Sequence, residues 1–150
     1  MIRRVRSFGR LAPGQQRLLL SAFFWLTVTK LGLSLCSFPS LQRGLSRCAR
    51  ARRHVEPPVS VLEIIWAVTT AARHFPAACA CLPQALAAQV MLGRRNIRSE
   101  FKIGVAKGKP GQLEAHAWLE YAGSVVLGGS DISRYTLLKN SARAGFIEVR

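Results

Sequence analysis

From residue 98 onward the apolar residues of this chain change their period, and that change confines it to folds that set helices against an antiparallel sheet. Between Arg98 and Ala106, Phe101, Ile103 and Val105 alternate with Lys102 and Gly104, as on a strand with one covered face. KGKPG, residues 107–111, reads as a loop. Leu113 to Tyr121 is a second strand, with His116 and Trp118 on one face and Ala115, Ala117 and Leu119 on the other. Ala122–Gly123 makes a tight turn, Val125 to Leu127 returns as a third strand, and Gly128–Gly129 ends it. Ile132 to Leu138 is a short further piece, and Phe146 to Val149 is expected to add an edge strand.

Ahead of this sheet the period is helical. Ser60 and Glu63 form a Ser-x-x-Glu capping box, flanked by Val59 and Ile64 as a hydrophobic staple. The helix they open runs to about His74 and ends before Pro76, with Leu62, Ile65, Trp66, Thr69 and Ala72 on its expected core face. AACACLPQALAAQVMLGRRN, residues 77–96, carries the next helix. Pro83 suits a first helical turn, where its missing N–H is not needed. Ala85 to Leu92 is strongly helix-forming, and Gly93 to Asn96 supplies the stop. Helices followed by an antiparallel sheet, in 150 residues, give one α+β domain with a basic, apolar helical segment over residues 1–56 in front of a domain over 57–150.

That front segment carries most of the charge. Residues 1–56 hold 11 Lys/Arg against one acid, whereas residues 57–150 hold 11 against six. Met1 to Arg10 has four Arg, and Leu18 to Phe38 is apolar, but Lys30 limits the charge-free run from Leu18 to Thr29 to 12 residues. A spanning helix wants about 20. A buried helix pair or one long amphipathic helix is therefore expected first, a membrane-surface contact second and a spanning helix third; a docking helix for a partner fits as well. Residues 39–58, with Pro39, Ser40 and Gly44 at one end, Pro57–Pro58 at the other and the basic run Arg47–His54 between, read as a connection. The excess charge suits an acidic partner or an anionic membrane face. No zinc finger, helix-turn-helix or RNA-binding sheet pattern accompanies it, so no nucleic-acid partner is expected.

The chemistry centres on Cys81. Four cysteines occur, Cys36, Cys48, Cys79 and Cys81, and a chain 49% hydrophobic does not need disulfides, so reduced thiols in the cytoplasm are expected. Cys79-x-Cys81 with His74 lacks the spacing of a zinc site and no second pair follows, so no metal and no cofactor is expected. Cys81 falls at a helix N-terminus, where a thiolate faces unpaired N–H groups and the positive end of the helix dipole. Cysteine acyl transfer needs that thiolate, a base within hydrogen-bond reach and a group that orients the base. His116, on the strand packed against the helix, is the candidate base. The Cys81 N–H is a natural donor to a tetrahedral oxyanion. Trp118, one strand period on, would shield the imidazole or line the substrate groove.

CLPQALAAQVML, then IGVA, then AHAWLEYAGSVVLGG resembles the transglutaminase-like cysteine peptidases that mature lasso peptides, the stand-alone B-type leader peptidases. CLPQAL resembles their nucleophile helix, AHAW their histidine strand, and LLLSAFFWLTVTKLGLSL their apolar lead-in. The resemblance implies a transglutaminase/papain-like fold with a nucleophile helix packed on a small antiparallel sheet. It also implies removal of the leader from a ribosomally made precursor peptide, with Cys81 as nucleophile and His116 as general base and acid. A separate ATP-dependent cyclase then closes the ring. There is no room here for a fused leader-recognition domain, so a separate recognition protein is implied. The family's third residue, an Asp, would fall near Gly128. Asp131 is the nearest acid; Glu120, two strand periods from His116, is the alternative, and a backbone or amide orienter is a third. Two other classes fit the same residues: another transglutaminase-like amide hydrolase or acyl transferase, and a non-enzymatic basic adaptor.

Overall fold

The computed structural model describes residues 11–50, 59–76, 80–108, 112–129 and 131–138. Among the described residues four helices precede the sheet: α1 Pro13–Leu35, α2 Phe38–Arg50, α3 Val61–Arg73 and α4 Cys81–Gly93. The strands are β1 Glu100–Lys107, β2 Leu113–Tyr121, β3 Ser124–Leu127 and β4 Thr136–Leu137, with a short 3-10 turn, Ile132–Arg134, before β4. The sheet is antiparallel in the order β3-β2-β1-β4. The fold is α+β, as the change of period requires. The expected strand at Phe146–Val149 lies outside the described residues.

The apolar stretch near the N-terminus is one long helix. Pro13 starts α1, and the chain leaves it at Cys36, whose N–H closes on the Gly32 carbonyl at 2.9 Å. Leu18, Leu19, Ala22, Trp25, Leu26 and Thr29 are buried. Lys30, which interrupts the apolar run, lays its ammonium 5.3 Å from the centre of the Phe75 ring. By length and composition α1 could also cross a bilayer; in this fold one side of it enters the core, and Leu20, Phe24, Leu31 and Leu35 are exposed.

Two expectations about local structure are corrected. Residues 39–50, read as part of a connection, belong to α2, which begins at Phe38. Pro39 sits in its first turn, where it starts a helix rather than breaking one. Leu41, Leu45 and Ala49 recur at helical spacing and are buried, and the basic side chains lie elsewhere on the helix. In α3 the capping box forms as expected: the Ser60 N–H donates to Glu63 Oε2 at 2.8 Å, and the Glu63 N–H to Ser60 Oγ at 3.2 Å. Such a cap contributes about 1 kcal/mol. The buried face is not the expected one, however. Ile64, Ala67, Val68 and Ala71 are buried, whereas Leu62 and Trp66 are exposed. Small residues let α3 lie close against α1 and α4, and that approach outweighs the burial of larger neighbours.

One apolar core joins all four helices to one face of the sheet. Helix α4 is its axis: Ala85 through Leu92 are buried without a polar face. Phe101, Ala117, Leu119 and Leu127 close the core from the sheet side. Residues 13–50 therefore fold into the same core as the sheet.

Candidate active site

Helix α4 begins at Cys81. Its cap, Ala80, offers no side-chain hydrogen bond, and no acid stands in the first turn. The first N–H groups of the helix are therefore left for a ligand or for water. The Cys81 side chain is half-buried against the apolar core. Fully buried Thr29 of α1 donates to the Leu26 carbonyl at 3.1 Å and to the Pro83 carbonyl at 3.3 Å, which ties the first turn of α4 to α1. Cys36 and Cys48 are exposed free thiols, and Cys81 is free as well. Cys79 lies outside the described residues. Among the described residues no three His, Cys, Asp or Glu side chains gather as metal ligands.

Strand β2 packs on α4 and alternates as expected. Ala117 and Leu119 enter the core. His116 and Trp118 stand on the other face, where Trp118 is 3% exposed. The imidazole and indole rings are stacked, centroids 6.3 Å apart. Tyr135, just before β4, brings a third ring within 5.2 Å of His116. The ring's Nε2 lies 2.8 Å from the Gly128 carbonyl oxygen. Among the described residues no hydrogen bond joins His116 to Cys81 or to Asp131.

The two acids considered as orienters are engaged elsewhere. Glu120 accepts from the Trp118 indole N–H at 2.9 Å and from Lys102 across the sheet. Asp131, in a left-handed backbone conformation, accepts from Ser133 Oγ at 3.1 Å, with Arg134 Nε at 3.9 Å. Glu120 therefore secures the tryptophan that covers the histidine. Burial pushes its carboxyl upward, but the bonds from Lys102 and Trp118 and the Lys102 charge outweigh burial, leaving it below its ordinary value. The bond to Glu120 holds the Lys102 ammonium above its ordinary value, against desolvation.

A carboxyl depressed in the folded state stabilises the fold above its unfolded value, about 4.3, and that stabilisation is lost as pH falls through the folded value. Glu120→Gln is accordingly expected to melt with a shallower dependence on pH in acid than the wild type. Thermal melts from pH 6 downward check this, and parallel curves for the two proteins would refute the assignment.

Neither Tyr135 nor Gly104 is singled out by the sequence, and Gly128 enters there only as the slot near which the third residue, an Asp, would fall. Gly104 is the cross-strand partner of His116. A Cβ there would meet Tyr135 Cβ at 2.8 Å and the Trp118 ring at 3.1 Å, so only glycine lets both rings close beside the histidine. The visible signal was a glycine opposite a histidine in otherwise regular alternation, but the register needed to see it is a tertiary fact.

Comparison with known proteins adds one finding. A family model of the transglutaminase-like superfamily matches residues 24–140, from within α1 to just past β4, and takes in Cys81, His116, Trp118 and Asp131. No curated protein and no solved structure matches the chain. The superfamily includes cysteine peptidases and acyltransferases and is generally catalytic through cysteine. With a cysteine opening a buried helix, that helix packed on a histidine-bearing antiparallel strand, and a match over most of its length, the chain belongs to the transglutaminase-like superfamily.

Proposed function

We propose that this chain is a cysteine peptidase that removes the leader from a ribosomally synthesised lasso-peptide precursor. The observation that carries the reading is Cys81 at the uncapped first turn of α4, a helix that packs on β2 through Ala117 and Leu119, the residues that flank and follow His116 on the strand's opposite face. The motif pair CLPQAL and AHAW supplies the substrate class by resemblance. His116 stands on the sheet face away from the core that holds Cys81, so the reading requires a rearrangement on substrate binding that brings the imidazole to the thiol.

In the proposed reaction His116 takes the thiol proton and the Cys81 sulfur attacks the scissile carbonyl. The first-turn N–H groups of α4 receive the tetrahedral oxyanion. Collapse expels the amine of the core peptide, which takes the proton from the imidazolium, and leaves the leader as a thioester. Water, deprotonated by the same imidazole, hydrolyses the thioester and restores the thiol. Trp118 screens the imidazole on one side.

The reading brings partners: the precursor's leader, a separate leader-recognition protein and an ATP-dependent cyclase. It places the work in the cytoplasm, with the basic residues of the N-terminal segment available to the inner membrane surface. The test is mass spectrometry of a candidate precursor incubated with this protein and its recognition partner. Expected is a leader ending in a free carboxylate and a core with a new amine, both absent with His116→Ala. A product joined to an added amine instead would assign an acyl transferase. An intact precursor, with no thiol of the folded protein reacting selectively, would leave the basic adaptor.

A further inference from the structure

We propose that the backbone carbonyl of Gly128, rather than a carboxylate, is the group that orients His116; the inference rests on the cysteine-peptidase reading above. A histidine serving as base needs one nitrogen tied down, so that the other faces the thiol in a single tautomer. Here the tie is the 2.8 Å contact between Nε2 and the Gly128 oxygen. A carbonyl has no proton to give, so Nε2 must carry one and donate it. That leaves Nδ1 as the basic nitrogen. It takes the Cys81 thiol proton and later returns it to the leaving amine, and the Nε2–H to Gly128 bond persists throughout.

The backbone at Gly128 is built for this contact. Its φ is +77°, a conformation that side chains strain against. A Cβ would sit 2.8 Å from the Ala117 oxygen and 3.1 Å from Trp118 Cβ. The position at which the resemblance puts an acid is thus closed to any side chain, and the chain presents its carbonyl there instead. Asp131 is turned to Ser133 and Arg134, and Glu120 to Lys102 and Trp118. Gly128 is therefore a positioning residue, acting through the imidazole and not on the substrate.

The experiment reads the tautomer directly. In the full chain labelled with nitrogen-15 at histidine, long-range proton–nitrogen correlation, assigned by His116→Ala, is expected to show a pyrrole-type Nε2 and a pyridine-type Nδ1. Asp131→Asn is expected to leave that pattern unchanged. A semisynthetic chain with glycolate in place of Gly129 converts the Gly128 carbonyl into a weaker ester acceptor and keeps the glycine its φ requires. It is expected to show mixed tautomers and about a tenfold fall in leader cleavage, the scale of one hydrogen bond. A wild-type ring protonated on Nδ1, a tautomer that changes in Asp131→Asn, or an ester that alters neither readout would each overturn the proposal. The peptidase reading fails separately, if Cys81→Ala cleaves as well as the wild type; the tautomer measurement does not depend on cleavage.

Discussion

Replacing Cys81 with alanine is expected to abolish leader cleavage, a loss of about 10⁴-fold or more, while the protein still folds. The magnitude follows from covalent catalysis: without the sulfur no thioester forms, and only binding and oxyanion stabilisation remain. The fold survives because Cys81 is half-buried at a helix end, where losing one sulfur atom leaves no enclosed cavity. Three measurements check this together. Precursor processing followed by mass spectrometry should vanish, the thermal melt should match the wild type, and alkylation near neutral pH, resolved from that of Cys79 by fragmentation of the shared peptide, should be lost at position 81. Cys36 and Cys48 are exposed and will also alkylate, so the reaction must be read by peptide mapping. Undiminished cleavage by the alanine variant would remove the nucleophile and, with it, the enzyme reading.

The second large effect is on stability. Phe101→Ala is expected to cost about 3–5 kcal/mol, the usual penalty for emptying a buried phenylalanine site. Phe101 is 1% exposed and pairs with Leu119, itself fully buried, across the β1–β2 ladder. Its ring lies 6.3 Å from that of Phe38 at the start of α2. It is thus a point where the sheet, α2 and the core under α4 meet, and the walls of the resulting cavity belong to different elements that cannot all collapse inward. Domains of this size are stable by only about 5–15 kcal/mol, so the variant should lose a large share of that. Urea unfolding should show a lower midpoint at an unchanged slope. A shift equivalent to under about 1 kcal/mol would mean that the site relaxes and that Phe101 does not hold sheet to helices.

Much of the architecture is legible along the chain because it is set locally. Alternation at Phe101, Ile103 and Val105 and at His116 and Trp118 fixes strands and faces. The Ser60–Glu63 box fixes a helix start, and Pro83 with the alanines after it fixes another. The misreadings have physical sources. Pro39 and Gly44 suggested a connection, yet the burial of Leu41, Leu45 and Ala49 against the rest of the core outweighs them. In α3 two apolar faces compete, Leu62–Trp66 and Ile64–Val68–Ala71, and the chain alone does not say which one meets α1 and α4.

The same division runs through the candidate site. That a cysteine opens a buried helix and that a histidine shares a strand face with Trp118 follow from local pattern, because helix caps and strand alternation depend on near neighbours. What holds the histidine depends on long-range packing. Tyr135 reaches it because Gly104 stands opposite in the ladder, and Glu120 is drawn to Lys102 and Trp118 instead. The Gly128 carbonyl meets Nε2 because β3 ends in a left-handed turn against β2. A backbone carbonyl has no letter of its own in a sequence; its direction is set by the register and turn of the chain around it, which exist only once the sheet has formed.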